Sequence, residues 1–418
     1  MLLVNGYPEP VAIAPHPQQP AFLQGRVDAY FRERVEKTWS GGHIMKGRRP
    51  GSNAVMLVSN DYLDLAHHPA IVAAQAETLR VQGHGLLRSG VFRNGMDPLR
   101  KFERALAERM GGEDAVVCQS GWCANTGLVQ SIAGPDTPVY IDMFAHMSLW
   151  EGITVAGATA RPFRHNDPES LDHMAAKHGP GVVVVDAVYS TSGRIAPLAE
   201  LVAVAERHGC VLVVDESHSL AVYGEHGEGL TSALGLAGRV HFRTASLSKG
   251  FAARGGVVVG SERNMEYFRY ESRPAIFSSG VLDHEAAGFQ ATLDAVAAGS
   301  DRRARLHANA DYLRGRLSAL DYNVDDSQCQ IVSLVAGPEP QTIVLRDALE
   351  SRGVFGSVFC APATAKNRSL IRFTVTSGMS REELERVVAV CAIIREEVGL
   401  YEWASTQKKG VRKMAASA

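Results

Sequence analysis

The chain has 418 residues, 45% of them hydrophobic and 21% charged, with a formal net charge of -2. Such a balance suits a globular protein and carries no global field that would recruit nucleic acid or an anionic membrane. The length exceeds what one small core needs and implies a larger and a smaller domain.

Residues 1–20 are Pro-rich and lack a basic n-region, so an irregular start is expected and a signal peptide is not. A charged amphipathic stretch predicts a helix from Val27 to Trp39. Met56–Val58 is a short strand candidate. Pro69 opens a helix to about Gln82, with Pro in the first turn where its missing N–H costs nothing. Gly83 to Gly95 holds four glycines and is expected to be a mobile loop. Leu99, Phe102, Leu106 and Met110 share one helical face, and Gly111-Gly112 ends that helix.

The middle of the chain alternates helical stretches such as Leu198–His208 with short β-branched runs. These runs are Ala115–Val117, Val139–Ile141, Val182–Val185, Val211–Val214 and Val257–Val259. They are nearly unbroken, as in strands buried on both faces of a mainly parallel sheet. From Asp301 the pattern changes to a long basic helix (Arg302–Leu320), strands near Ile331–Leu334 and Ile371–Val375, and the helix Arg381–Glu397. The expected plan is an N-terminal arm and helix at 1–55, a large domain at 56–300, a small α+β domain at 301–405 and a flexible tail at 406–418. No apolar run approaches the ~20 residues of a membrane helix. The six cysteines form no CxxC pair, so they read as reduced thiols in a cytoplasmic protein, and no metal is expected.

Asp215 closes the run Val211-Leu212-Val213-Val214, which puts a carboxylate at the C-terminal edge of a buried strand, where open α/β sheets bind ligands. Lys249 follows Thr244-Ala245-Ser246-Leu247-Ser248 in a hydroxyl-rich loop. This pairing meets the needs of a pyridoxal phosphate (PLP) site: an amine for the cofactor aldehyde and an anion for its ring nitrogen. Taken singly, Lys249 is one lysine among many and Asp215 a helix cap. His218 lies three residues beyond Asp215 and could meet the phenolic oxygen of the cofactor. Ser120-Gly121-Trp122 follows a strand and opens a helix, and backbone N–H groups there suit a phosphate dianion. His146 could stack on the ring, and Tyr189-Ser190 lies at the ligand edge beyond Asp186.

The order Ser120-Gly121-Trp122, His146, Ser190, Asp215/His218, Lys249 resembles the α-oxoamine synthases. These are fold-type I PLP enzymes that include aminooxononanoate synthase, aminoketobutyrate ligase, aminolevulinate synthase and serine palmitoyltransferase. The resemblance spans about residues 55 to 400. It is nearest to the branch that makes precursors of α-hydroxyketone quorum-sensing autoinducers. The stretches that carry this nearer likeness are Ser59-Asn60-Asp61-Tyr62-Leu63, Gln119 to Trp122, Phe144 to Gly152 and Gly353 to Cys360.

The resemblance implies an α/β fold with a seven-stranded, mainly parallel sheet and a C-terminal α+β domain. It implies that Lys249, His146 and Asp215 are catalytic. Ser120, Gly121, Trp122, Ser190, His218 and Ser246 would help to bind the cofactor. Arg372 would grip the substrate carboxylate, for which a bidentate fork is suited. Ser278 and Ser279 would reach the phosphate from the neighbouring subunit of a homodimer. The implied reaction joins an acyl-CoA to the α-carbon of an amino-acid-type donor with loss of carbon dioxide. Within the nearer branch the acyl group is medium-chain and the donor is S-adenosylmethionine or 2-aminobutyrate.

The loop Gly83 to Met96 departs from the family's small-residue run, and Leu99 stands where ligase-like members carry a histidine. Both departures point away from the members that use glycine or alanine as donor. Another fold-type I activity, such as an aminotransferase or carbon–sulfur lyase, would share Asp215 and Lys249 without needing His146. A non-catalytic partner subunit would typically lack the lysine.

Overall fold

The computed structural model describes residues 17–93, 95 and 97–407. The expected irregular start up to residue 16 and the expected tail from residue 408 lie outside the described residues. The chain divides into a short unit ending at Gly47 and a large unit beginning at Arg48. In the short unit, helix Ala21–Tyr30 runs into wider π-helical turns at Phe31–Thr38. The widening shows in bonds five residues apart: Trp39 N–H donates to the Arg34 carbonyl and the Thr38 hydroxyl to the Glu33 carbonyl. The helix thus starts earlier than the amphipathic pattern suggested.

The described residues of the large unit hold eleven strands in two sheets. They are β1 (Val55–Leu57), β2 (Asp114–Cys118), β3 (Pro138–Asp142), β4 (Thr159–Phe163), β5 (Val182–Asp186) and β6 (Val211–Asp215). After these come β7 (Phe242–Ser246), β8 (Gly256–Gly260), β9 (Ile331–Gly337), β10 (Val354–Phe359) and β11 (Ser369–Thr374). Seven form one sheet in the order β2-β8-β7-β6-β5-β3-β4. Its pairs are parallel except those of β8, which runs antiparallel to β2 and β7. This is the fold-type I architecture that the motifs implied.

The unbroken valines of β5 make sense in this setting. Val183 and Val185 pack with Leu201 and Val202 of helix Leu198–Arg207 on one face. Val182 and Val184 pack on the other face with Leu128 of helix Gly121–Ile132 and Leu149 of helix Met147–Ala156. Both faces are dry, so no polar alternation survives. Edge strand β4 was not foreseen: its Thr-Ala-Arg-Pro-Phe run holds Pro162, which a strand bonded on one side alone tolerates.

The second sheet has the order β1-β10-β11-β9. The strand near Met56, expected with the large domain, instead pairs in parallel with β10 (Val55 opposite Val354). Val55 and Leu57 are buried and Met56 is exposed. That alternation fits the edge of a sheet covered on one face, and three residues carry no signal for which sheet they join. β10 escaped sequence reading because Gly356 and Ser357 interrupt its apolar run. Gly356 is required there, since an added Cβ would lie 2.5 Å from Ile371 Cγ2.

The loop after helix Pro69–Gln82 is tied down and not free as expected. Arg93 is buried, donating to both Asp97 oxygens (2.7 and 3.0 Å), the Val281 carbonyl (2.7 Å) and Asp283 (3.0 Å). The Ser89 hydroxyl donates to the Ile276 carbonyl at 2.6 Å.

Leu201 is fully buried in the core under β5. Leu201→Ala is expected to destabilise the protein by about 2–5 kcal/mol through the cavity it leaves. A thermal unfolding midpoint within a degree of the parent would contradict this.

Candidate active site

The C-terminal edges of β5, β6 and β7 bring the candidate residues together. Asp215 ends β6 and is 4% exposed. One of its oxygens accepts from the Ser217 N–H at 2.8 Å, the other from the Asn125 amide at 2.6 Å. Asn125 also donates to the Ser148 hydroxyl at 2.9 Å and accepts from the Thr244 hydroxyl at 2.5 Å. Ser148 in turn bonds Nδ1 of His146 at 2.7 Å. A continuous polar chain therefore runs from His146 through Ser148 and Asn125 to Asp215. His146 caps helix Met147–Ala156, and its backbone N–H donates to Asp186 at 3.1 Å. Its ring is exposed, with the edge of Trp122 at a centroid distance of 6.3 Å. Desolvation pushes the imidazole below its ordinary range, with Asp215 opposing and Lys249 assisting, so the neutral ring is favoured.

Lys249 follows β7 in a turn and is half-buried. Burial and then the Arg372 charge lower its ammonium below the usual lysine range, against the pull of Asp215. Lowering favours the free amine, the nucleophilic form. Beside it lies a hydroxyl and N–H cluster. The Ser120 hydroxyl caps helix Gly121–Ile132, accepting from Cys123 N–H at 3.1 Å. The Ser246 and Ser248 hydroxyls are 2.8 Å apart, and Ser246 N–H donates to the Ser217 hydroxyl at 2.7 Å. Gly121 has no alternative here, because a Cβ would lie 2.7 Å from that of Ser246.

From the smaller sheet, β11 contributes Arg372, which is 5% exposed. It donates to the Ser190 carbonyl at 2.9 Å and the Asn60 side chain at 3.1 Å, and lies over the Phe359 ring at 4.6 Å. Its Nε is buried without a partner, and among the described residues no carboxylate pairs with it. A buried guanidinium in that state is a receptor for an anionic group. The backbone carbonyl of Ser190 is what meets Arg372. His218 is buried, and its Nδ1 shares a 2.5 Å hydrogen bond with the Tyr62 hydroxyl. Ser278 is engaged within its own segment and Ser279 with the loop at Ser89. The Ser278 hydroxyl donates to the Pro274 carbonyl, and Ser279 bridges to Ser89. Among the described residues neither serine bonds to Lys249 or Ser246.

Sequence reasoning missed Tyr62, Asn60 and Ser148 as working groups, and it used Asn125 only to mark a helix. An Asn or Ser on the core face of a helix beginning at the ligand edge is the signal that could have found two of them.

These residues fit PLP. A carboxylate fixed by an amide suits a ring N–H, an exposed imidazole suits a ring face, and a hydroxyl cluster at a helix N-terminus suits the phosphate. A desolvated amine in the same site suits the aldehyde.

Asp186 lies opposite Asp215 in adjacent strands and is 4% exposed. Burial first, and the Asp215 charge second, raise its carboxyl well above the carboxylate range. Below its unfolded value of about 3.9 both states hold the proton and stability is unaffected. Above that value only the unfolded chain releases the proton, so stability falls as pH rises toward the folded pKa. Asp186→Asn removes this loss and still offers an oxygen to His146 N–H. Its unfolding midpoint relative to the parent is expected to rise from pH 4 to pH 7. A flat difference across that range would show that Asp186 ionises freely.

Comparison with known proteins agrees with this geometry. The profile of the aminotransferase class I and II family matches residues 52–390. The chain is 43% identical over 372 residues to the CAI-1 autoinducer synthase of Vibrio campbellii, covering 89% of this chain and 94% of that one. It is 30% identical over 354 residues to an 8-amino-7-oxononanoate synthase of Alkaliphilus metalliredigens, covering 84% and 90%. A serine palmitoyltransferase structure from S. paucimobilis, solved with bound PLP, superposes with a TM-score of 0.84 at 28% identity, covering 90% of this chain and 99% of that one. The chain belongs to the aminotransferase class I and II family and, within it, to the α-oxoamine synthases, which makes it a fold-type I PLP-dependent acyltransferase that joins an acyl group to an amino donor.

Proposed function

We propose that the chain condenses a medium-chain acyl-CoA with S-adenosylmethionine or 2-aminobutyrate, with loss of carbon dioxide. The product would be an aminoketone precursor of an α-hydroxyketone quorum-sensing signal. The observation that carries this reading is the 43% identity, spread over nearly all of both chains, to an autoinducer synthase. The loop at 83–96 supports it, presenting Leu86, Leu87 and Phe92 at 67%, 76% and 70% exposure where an acyl chain could be covered.

The comparisons as a group lend more weight to the broader reading, an α-oxoamine synthase of the aminooxononanoate type. Several relatives near 30% identity carry that name. Aminoketobutyrate ligase activity falls within the same broader reading. A homodimer acting in the cytoplasm, with Ser278 and Ser279 serving the neighbouring site, completes the proposal. Among the described residues no helix is long and apolar enough to cross a membrane.

When bound, PLP supplies an electron sink for charge developing at the substrate α-carbon. Asp215, with its carboxylate held by Asn125, keeps a proton on the ring nitrogen. His146 would lie against one ring face, and its neutral state leaves it able to accept a proton. Lys249, its ammonium lowered by burial, would anchor the aldehyde at rest and move the α-proton during turnover. Arg372 orients the amino donor by its carboxylate, taking up the guanidinium face that no protein anion occupies.

Two results are expected. Lys249→Ala should abolish the borohydride-reducible link between chain and cofactor, and borohydride labelling of the parent should map to Lys249 alone. Asp215→Asn should retain PLP yet lose on the order of a hundredfold in kcat, the scale of removing one preorganised electrostatic group. Near-parental turnover in Asp215→Asn would refute the role given to the carboxylate.

Acyl-CoA chains of several lengths, crossed with amino donors and read by CoA release and product mass, distinguish the substrate readings. Each buried methylene is worth ~0.8 kcal/mol, so decanoyl-CoA should exceed acetyl-CoA by orders of magnitude in kcat/KM. A preference for acetyl-CoA with glycine would return the chain to the ligase type. A preference for pimeloyl thioester with alanine would return it to the oxononanoate type.

A further inference from the structure

We propose that Tyr62 is a positioning residue that fixes the tautomer of His218, keeping the ring proton on Nε2 so that the imidazole offers the site a hydrogen-bond donor. The inference rests on the reading above that His218 serves the cofactor's phenolic oxygen. Three observations carry it.

The first is the phenol. Tyr62 is fully buried, and burial holds its hydroxyl well above the ordinary range, so it keeps its proton. A buried O–H needs an acceptor. That hydroxyl lies 2.5 Å from Nδ1 of His218, and the Gln330 amide meets it as a donor, which leaves the phenol's own proton for the imidazole. The nearby Gln330 side chain does not take the proton. Its Nε2 donates to the His218 carbonyl at 2.9 Å, while its Oε1 is buried without a partner. Nδ1 is therefore the acceptor.

The second is the ring. Burial, then the positive groups Lys249 and Arg372, and then His146 hold His218 well below its ordinary range, so the ring is neutral and has a single N–H. With Nδ1 accepting, that N–H is on Nε2.

The third is the mounting of Tyr62. Asp61 accepts from the N–H groups of Leu65 (2.9 Å) and Ala66 (2.8 Å), and the Tyr62 carbonyl accepts from Ser377 N–H at 2.8 Å. The same turn supplies Asn60 to Arg372 at 3.1 Å. A short turn near the start of the large unit thus sets both the carboxylate-binding arginine and the proton position of the histidine.

The test uses the full-length chain carrying nitrogen-15 histidine, with and without PLP. Long-range proton–nitrogen correlation spectra of the parent should show His218 neutral, with its proton on Nε2. In Tyr62→Phe, which removes one oxygen, that preference should be lost. In the loaded enzyme, the pH midpoint of the visible band should rise because the phenolate loses a donor. The kcat should fall about tenfold, the scale of one hydrogen bond, with KM for both substrates within about twofold.

A parental spectrum with the proton on Nδ1 overturns the proposal. So does an Nε2–H ring that persists unchanged in Tyr62→Phe. His218→Ala separates the two levels of the argument. If it leaves the visible band and its pH midpoint untouched while the tautomer is as stated, the cofactor role of His218 is what fails.

Discussion

The site depends on one buried amide. Asn125 sits on helix Gly121–Ile132 and reaches Asp215 at the end of β6, Thr244 on β7 and Ser148 beyond β3. Its N–H groups fix the carboxylate and the serine, and its oxygen takes the threonine proton. Every polar atom of that side chain is used, so the amide has one orientation and Asp215 has one position. Without it, a nearly dry carboxylate would lose a charge-assisted bond in a setting where water cannot replace it. His146 depends on the same amide at one remove, through Ser148. Asp215 and His146 are therefore set by one hydrogen-bonded chain.

Around this chain the electrostatics are lopsided. Lys249, Arg372, His146 and His218 are each lowered by burial, and all but Arg372 also by positive neighbours among them. Asp215 supplies the nearby negative charge. Such a group of residues favours anions, since a phosphate dianion or a carboxylate beside it stabilises the charged forms that burial disfavours. Asp186 stands outside this logic. It is a second carboxyl beside Asp215, raised first by burial and then by the Asp215 charge, so it holds its proton more tightly than an ordinary carboxylate.

The two sheets have separate tasks. The seven-stranded sheet presents Asp215, Lys249 and the loops after β2, β3 and β5 along one edge, as parallel strands entering from the same side must. The four-stranded sheet delivers Arg372, and its guanidinium meets Ser190 beyond β5 of the larger sheet and Asn60 just after β1. Arg372 is buried at that junction, where the function proposed above would bring a substrate carboxylate.

Much of this was legible in the chain itself. Unbroken valine runs encode strands buried on both faces, because parallel strands covered by helices have no wet side. Asp215 and Lys249 were legible because a charged residue closing such a run has to emerge at the sheet edge. The motifs around His146, Ser120 and Arg372 were legible as a family pattern. Tertiary structure alone decided the partners. Three residues around Met56 say nothing of which sheet they join, and β10 hides behind Gly356 and Ser357. The glycines at 83–95 suggested freedom until Arg93 found Asp97 and Asp283, the latter 190 positions away. Tyr62 and His218 are 156 positions apart and carry no mark of their bond. Local sequence determines which elements form and which edge is reactive, because those follow from periodicity. Which polar groups share a proton follows from packing at long sequence separation, and only the folded chain decides it.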